Sequence, residues 1–163
     1  MLENTINVKE IVPHEEHFYN TIKIKQLKDN AILPSCGSDF SAGWDLYAAI
    51  DEPICISPHT TVKIGTGFAF ELPLYTFGAI FPRSGLATKQ GLRPANCVGV
   101  CDSDYRGEYI VAVHNDSESN QWVEPGARIA QLIVLPYVPI KFKQVNELTE
   151  TKRGADGFGS TGK

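Results

Sequence analysis

The chain contains no apolar run near the roughly 20 residues that span a bilayer. Its first residues, Met1-Leu-Glu-Asn-Thr5, lack a basic segment followed by an apolar one. Neither a membrane anchor nor a secretory leader is expected. Positive charge is scarce as well: 15 Lys and Arg stand against 19 Asp and Glu, a net charge of −4. That balance argues against a broad basic face for nucleic acid or an anionic membrane. Cysteine is limited to Cys36, Cys55, Cys97 and Cys101, with no Cys-x-x-Cys pair and no His at zinc-finger spacing. Reduced thiols in a cytoplasmic, cytosol-like compartment are the expectation. His14-Glu-Glu-His17 is one residue short of the spacing a helical zinc site needs, so it reads as solvated surface.

What is present suits one soluble domain. The 163 residues are 42% hydrophobic and 21% charged, enough for a proper core. Residues 1–19 carry Glu3, Glu10, Glu15 and Glu16 against Lys9, with irregular apolar spacing. They read as an N-terminal extension of unknown role, ahead of a domain spanning 20–163. Thr21–Leu27 alternates cleanly and predicts a strand. Residues 33–43 are loop by composition. Trp44–Ala49 enters a strand with Asp45 inside it. Asp is depleted in strands, so Asp45 needs a bulge, a bond to the loop or a function. Thr61–Ile64, Phe68–Leu72 and Phe77–Phe81 are short strands bounded by Gly65, Gly67, Pro73 and Pro82. Their spacing predicts an all-β sandwich or barrel. Ser84 is expected to cap one short helix reaching about Gln90. With Arg83 beside it and backbone N–H groups bared at Gly85, that turn suits either a phosphate or nothing more than a cap. Pro125–Leu135 is a turn feeding an apolar strand that contains Gln131. Val138–Val145 is expected to complete the β series.

Two further stretches carry candidate chemistry. Asn96–Tyr109 reads as a hairpin: Cys97, Val98, Val100 and Cys101 suit a strand, Asp102-Ser-Asp104 a turn, and Tyr109–Val113 the returning strand. Its two carboxylates either face a cation or water, or belong to an ordinary polar turn. Asn96 needs a partner if buried. The C-terminal stretch 152–163 has Gly at 154, 157, 159 and 162, too much to pack as core. It is a flexible tail, or a segment that wraps a polyphosphate with Arg153, Ser160, Thr161 and its N–H groups. Gly162-Lys163 is read without a following Ser or Thr, so a P-loop is not expected.

Five segments, in order, resemble the trimeric deoxyuridine triphosphatases (dUTPases). They are Ala42-Gly-Trp-Asp-Leu-Tyr-Ala-Ala49, Pro82-Arg-Ser-Gly-Leu-Ala87, Asn96–Tyr109, Gly126-Ala-Arg-Ile-Ala-Gln-Leu132 and Arg153–Gly162. Trp44 and Cys101 stand where a Tyr and an aliphatic residue are usual. The resemblance implies a jelly-roll-like β-barrel with one short helix, a flexible Gly-rich C-terminal arm of residues 152–163 that closes as a lid, and a homotrimer that shares its active sites. It implies hydrolysis of dUTP to dUMP and pyrophosphate, which limits uracil in DNA and supplies dUMP. Asp102 is implied to activate the attacking water, and Asp104 is left to hold the turn through Arg106 or backbone N–H groups. Asn96 and hairpin backbone at Gly99 would read uracil, Tyr105 would pack on deoxyribose, and Phe158 would stack on the base. Arg83, Ser84, Gly85, Gln131, Arg153, Gly159, Ser160 and Thr161 would hold phosphates. Asp45 would position a water on Mg²⁺. Two alternatives share the scaffold: a dCTP deaminase, for which Glu108 would be the candidate acid, and a nucleotide-dependent regulatory binding protein.

Overall fold

A computed structural model describes residues 21–157. Among them are eleven strands and one helix: β1 (Lys23–Gln26), β2 (Trp44–Tyr47), β3 (Ile54–Ile56), β4 (Thr61–Gly65), β5 (Phe68–Glu71), β6 (Thr76–Phe81), α1 (Ser84–Gln90), β7 (Leu92–Pro94), β8 (Gly99–Asp102), β9 (Ile110–Asn115), β10 (Gln121–Val123) and β11 (Arg128–Pro136). The strands form four antiparallel sheets, ordered β2-β11-β6-β8, β4-β9-β7, β1-β5 and β3-β10. The fold is all-β and jelly-roll-like. No helix among the described residues is long and apolar enough to cross a membrane. The four cysteines are free thiols.

Period-two alternation builds the core. In β9, Val111, Val113 and Asn115 are buried while Ile110 faces out. Val111 and Val113 share one core cluster with Leu46, Ile56, Ile64, Phe68, Phe70, Ile80, Ile129 and Leu132. Asn115 is fully buried and fully bonded: its amide donates to the carbonyls of Ile56 and Ser119, and its oxygen accepts from Ser117. That amide ties β9 to β3, which satisfies a polar group the core would otherwise penalise.

Several expectations need correction. The stretch around Asp102 is not a hairpin of paired strands. β8 pairs with β6, whereas β9 pairs with β4 and β7, so residues 103–109 cross from one sheet to the other. The crossing is fixed at its far end. Tyr109 N–H donates to Phe68 O, and Tyr109 O accepts from Thr66 N–H and Thr66 Oγ1. Glu108 Oε1 accepts Gly67 N–H at 2.8 Å and lies 3.4 Å from Lys28 Nζ. These long-range bonds outweigh the local preference for a hairpin. Ser84 is not the helix cap. Arg83 occupies that position, without a side-chain bond, and Ser84 is the first helical residue. Val138–Val145 forms no strand; its side chains are exposed, and no ladder partner is present among the described residues. Strands β3, β7 and β10 were not anticipated, because three residues are too few to display a period.

Tyr109 is the largest fully buried side chain among the described residues, with its ring 4.4 Å from that of Phe70. Its Oη has no hydrogen-bond partner among the described residues. Burial raises this phenol above its ordinary value, and the adjoining Cys101 thiol raises it further. The protonated form is therefore favoured in the fold. Its contribution to stability is present below the unfolded value of about 10 and is lost as pH rises through the folded one. Tyr109→Phe should match or exceed wild-type stability by about 1 kcal/mol at pH 8. It should also lack one group's share of the alkaline loss, about 1.4 kcal/mol per pH unit above 10. Urea denaturation at pH 8 and pH 11 measures both.

Candidate active site

β11 assembles one half of the candidate set. Gln131 lies opposite Asp45 of β2 on one side and Phe81 of β6 on the other. Arg83 follows β6 by two residues and so reaches the same corner. Its Nε donates to Asp45 Oδ1 at 2.7 Å, and Arg128 donates from the other side to Oδ2 at 3.1 Å. Asp45 is 15% exposed and answers its depletion from strands by satisfying two guanidinium groups, while its N–H donates to Ser35 O. Gln131 Nε2 donates to Pro82 O at 2.9 Å. A Cβ on Gly43 would collide with Gln131 Oε1, so glycine there permits the approach. Ser84 and Gly85 are exposed at the start of α1, and a Cβ on Gly85 would meet nothing. Among the described residues no bond is made by the two terminal nitrogens of Arg83. The corner is a half-buried cationic cluster with exposed backbone beside it. The sequence reading missed Arg128. Its signal was present: a strand Asp needs compensation, and Arg128 is a cation at the edge of an apolar strand.

The second half lies around the end of β8. Asp102 is exposed and pairs with Phe77. It borders two open clefts. One, of about 210 Å³, is lined by Val100, Tyr105, Glu108 and Tyr109 among others; the other, of about 220 Å³, by Phe77, Val100 and Tyr137. Tyr105 N–H donates to Asp102 O at 3.1 Å, and its hydroxyl donates to Glu108 O at 3.2 Å. The phenol therefore curls over Gly107, where any Cβ would collide with Tyr105 Oη. Asn96 is exposed in the turn before β8 and is not the buried amide considered from sequence. Cys97 beside it has φ 61°, and Val98 N–H donates to Asn96 O at 2.6 Å. Gly99 is buried against Ile80; a Cβ would sit 3.1 Å from Ile80 Cβ and 3.5 Å from Asn96 Nδ2. Arg106 does not pair with Asp104. It donates instead to the carbonyls of Ser103 and Tyr105. Cys101, half-buried below Asp102, has its thiol pushed up by burial, which makes it a poor nucleophile.

The two halves lie at different positions along β6. Asp102 lies opposite Phe77 and Gln131 opposite Phe81, four residues or ~13 Å apart along β6. Arg153 sits in a turn, with Nε donating to Asp156 O. Phe158, Gly159, Ser160 and Thr161, like residues 1–19, lie outside the described residues. Among the described residues no three His, Cys, Asp or Glu side chains converge as a metal cage.

A family model described as dUTPase matches residues 29–162. The chain belongs to the dUTPase family. It is 49% identical over 148 residues to the deoxyuridine 5′-triphosphate nucleotidohydrolase of Desulfitobacterium hafniense, covering 88% of this chain and 98% of that protein. It is 48% identical over 132 residues to the enzyme of the same name from Acinetobacter baumannii, covering 80% and 88%. A mutant of the bacteriophage 80alpha dUTPase superposes with a TM-score of 0.80 at 28% identity, over 87% of this chain and 99% of that one. A Staphylococcus bacteriophage 80alpha dUTPase mutant with dUpNHpp superposes at 0.76 and 27% identity, over 88% and 99%.

Asp45→Ala leaves two guanidinium groups without their shared carboxylate. It should lower unfolding free energy by about 2–3 kcal/mol, whereas Arg128→Ala, half exposed, should cost no more than about 1 kcal/mol. Urea denaturation at neutral pH ranks the two; equal losses would contradict the clamp.

Proposed function

We infer that this dUTPase-family protein hydrolyses dUTP to dUMP and pyrophosphate. The observation that carries the reading is the position of Asp102, exposed where two clefts meet and with Tyr105 folded beside it. An ionised carboxylate there accepts a water proton in a hydrogen bond and orients the oxygen toward the α-phosphorus. Asn96 and the backbone around Gly99 form the uracil-reading turn, since an amide and peptide groups complement the O4 and N3 edge. Tyr105 packs against the deoxyribose and leaves no room for a 2′-hydroxyl. Arg83, Ser84, Gly85 and Gln131 hold phosphates, with Arg83 offering its terminal nitrogens while Nε stays on Asp45. Arg153, Gly159, Ser160 and Thr161 close over the terminal phosphates, and Phe158 covers the base.

The ~13 Å between the two halves supports sites completed by neighbouring copies in a homotrimer. The donor set also fits Mg²⁺, which favours phosphate oxygens and retained waters with few protein ligands. Asp45 would hold it through water, since each carboxylate oxygen accepts one N–H here and keeps further acceptor capacity. When bound, Mg²⁺ neutralises charge building on the phosphates. Glu108 counts against a deaminase: it is engaged by Gly67 N–H and Lys28. No nucleic acid or membrane partner enters this reading, and its compartment is cytosol-like.

Pyrophosphate and ammonia release from dUTP, UTP, dTTP and dCTP, with and without Mg²⁺, test the assignment. Pyrophosphate from dUTP alone, dependent on Mg²⁺, is expected; ammonia from dCTP would refute it. Asp102→Asn should cut turnover roughly 10²–10⁴-fold while the affinity for α,β-imido-dUTP persists. Gly107→Ala should displace Tyr105. The preference for dUTP over UTP, as a ratio of kcat/KM values, should then fall about tenfold. An unchanged ratio would remove Tyr105 from sugar selection.

A further inference from the structure

The ladder between β11 and β2 contains one irregularity, and it lies at the phosphate corner. Leu132 opposes Trp44, Gln131 opposes Asp45, and Ala130 opposes Leu46. Unbroken pairing would next set Ile129 against Tyr47 and Arg128 against Ala48. Instead Arg128 opposes Tyr47, so one extra residue is accommodated between Arg128 and Ala130. Burial shows the same slip. Ile129 and Ala130 are consecutive, yet both are buried, at 1% and 0% exposure.

A one-residue slip moves a side chain to the other face of a sheet. Without it, Arg128 would share the face of Leu46 and Ala48, both 1% exposed, and its charge would enter the core. With it, Arg128 shares the face of Tyr47, Asp45 and Gln131. There its NH1 donates to Asp45 Oδ2 at 3.1 Å, opposite Arg83 on Oδ1 at 2.7 Å.

We propose that Arg128 is a positioning residue for the phosphate-holding corner, aimed by this bulge and acting through Asp45. Bonded to Oδ2, it orients the carboxylate so that Oδ1 meets Arg83 Nε. That contact fixes the plane of the Arg83 guanidinium and leaves its two terminal nitrogens for phosphate oxygens. Remove Arg128 and the carboxylate rotates, Arg83 loses its fixed plane, and phosphate binding suffers although Arg128 touches no phosphate. The proposal rests on the dUTP-binding reading above.

Calorimetry on the full chain tests it, with α,β-imido-dUTP as the triphosphate probe and deoxyuridine as the phosphate-free one. Arg128→Ala should weaken imido-dUTP binding roughly tenfold to a hundredfold and leave deoxyuridine affinity unchanged. In an Asp45→Asn background the same substitution should add much less, because its route is already cut. If Arg128→Ala does not fold, Arg128→Gln carries the measurement with the same expectation. Three results overturn the proposal: unchanged imido-dUTP affinity, an equal loss for deoxyuridine, or losses that add fully with Asp45→Asn. Wild-type protein that fails to bind imido-dUTP overturns the functional reading and this proposal with it. Tight wild-type binding with an unaffected variant overturns the proposal alone.

Discussion

The register of β11 between β2 and β6 is the constraint on which the rest depends. Nine residues long, β11 pairs with both of these neighbours, and it sets Gln131 beside Asp45 and Phe81. Its buried residues Ile129, Ala130 and Leu132 anchor it in the core. A slip of one residue in either direction would carry Gln131 into a buried position, and in one direction Arg128 as well, at a cost of several kcal/mol from desolvation alone. Apolar burial therefore holds the polar corner in place. The Asp45 carboxylate, shared by two arginines, is the electrostatic consequence of that register. Because it is partly buried, its bonds are less screened than those of a surface pair such as Lys23–Glu71.

β6 carries the geometry from this corner to the other half of the site. It contacts β11 along one edge and β8 along the other, with Asp102 and Gln131 near opposite ends. A rigid ladder cannot bring those ends together. This is the physical ground for proposing that copies of the chain complete one another's sites.

Legibility in the sequence followed the range of the interactions involved. Long or clearly alternating strands such as Phe77–Phe81 and the apolar run to Leu135 were readable, because their signal repeats within a few residues. Three-residue strands were not. The Asn96–Tyr109 stretch looked like a hairpin because adjacent strands usually pair. Bonds from Glu108 and Tyr109 to residues about 40 positions away send β9 to a different sheet. Ser84 had the chemistry of a cap, yet the chain enters the helix one residue earlier, and the extended Arg83 takes that place. Arg128 was available as a partner for a strand Asp, but nothing local marks the bulge that turns it toward Asp45.

By itself, then, the sequence determined the all-β class and the family to which the chain belongs, and it named the groups on which the proposed site is built. Those properties reside in composition, period and motif order, which need no partner to be expressed. Only the tertiary structure decided which of those groups meet. It set Asp45 between Arg83 and Arg128, curled Tyr105 over Gly107, and placed Asp102 at the far end of β6. Each of these depends on register and sheet assignment, and both are settled by burying the core as a whole rather than by any single segment.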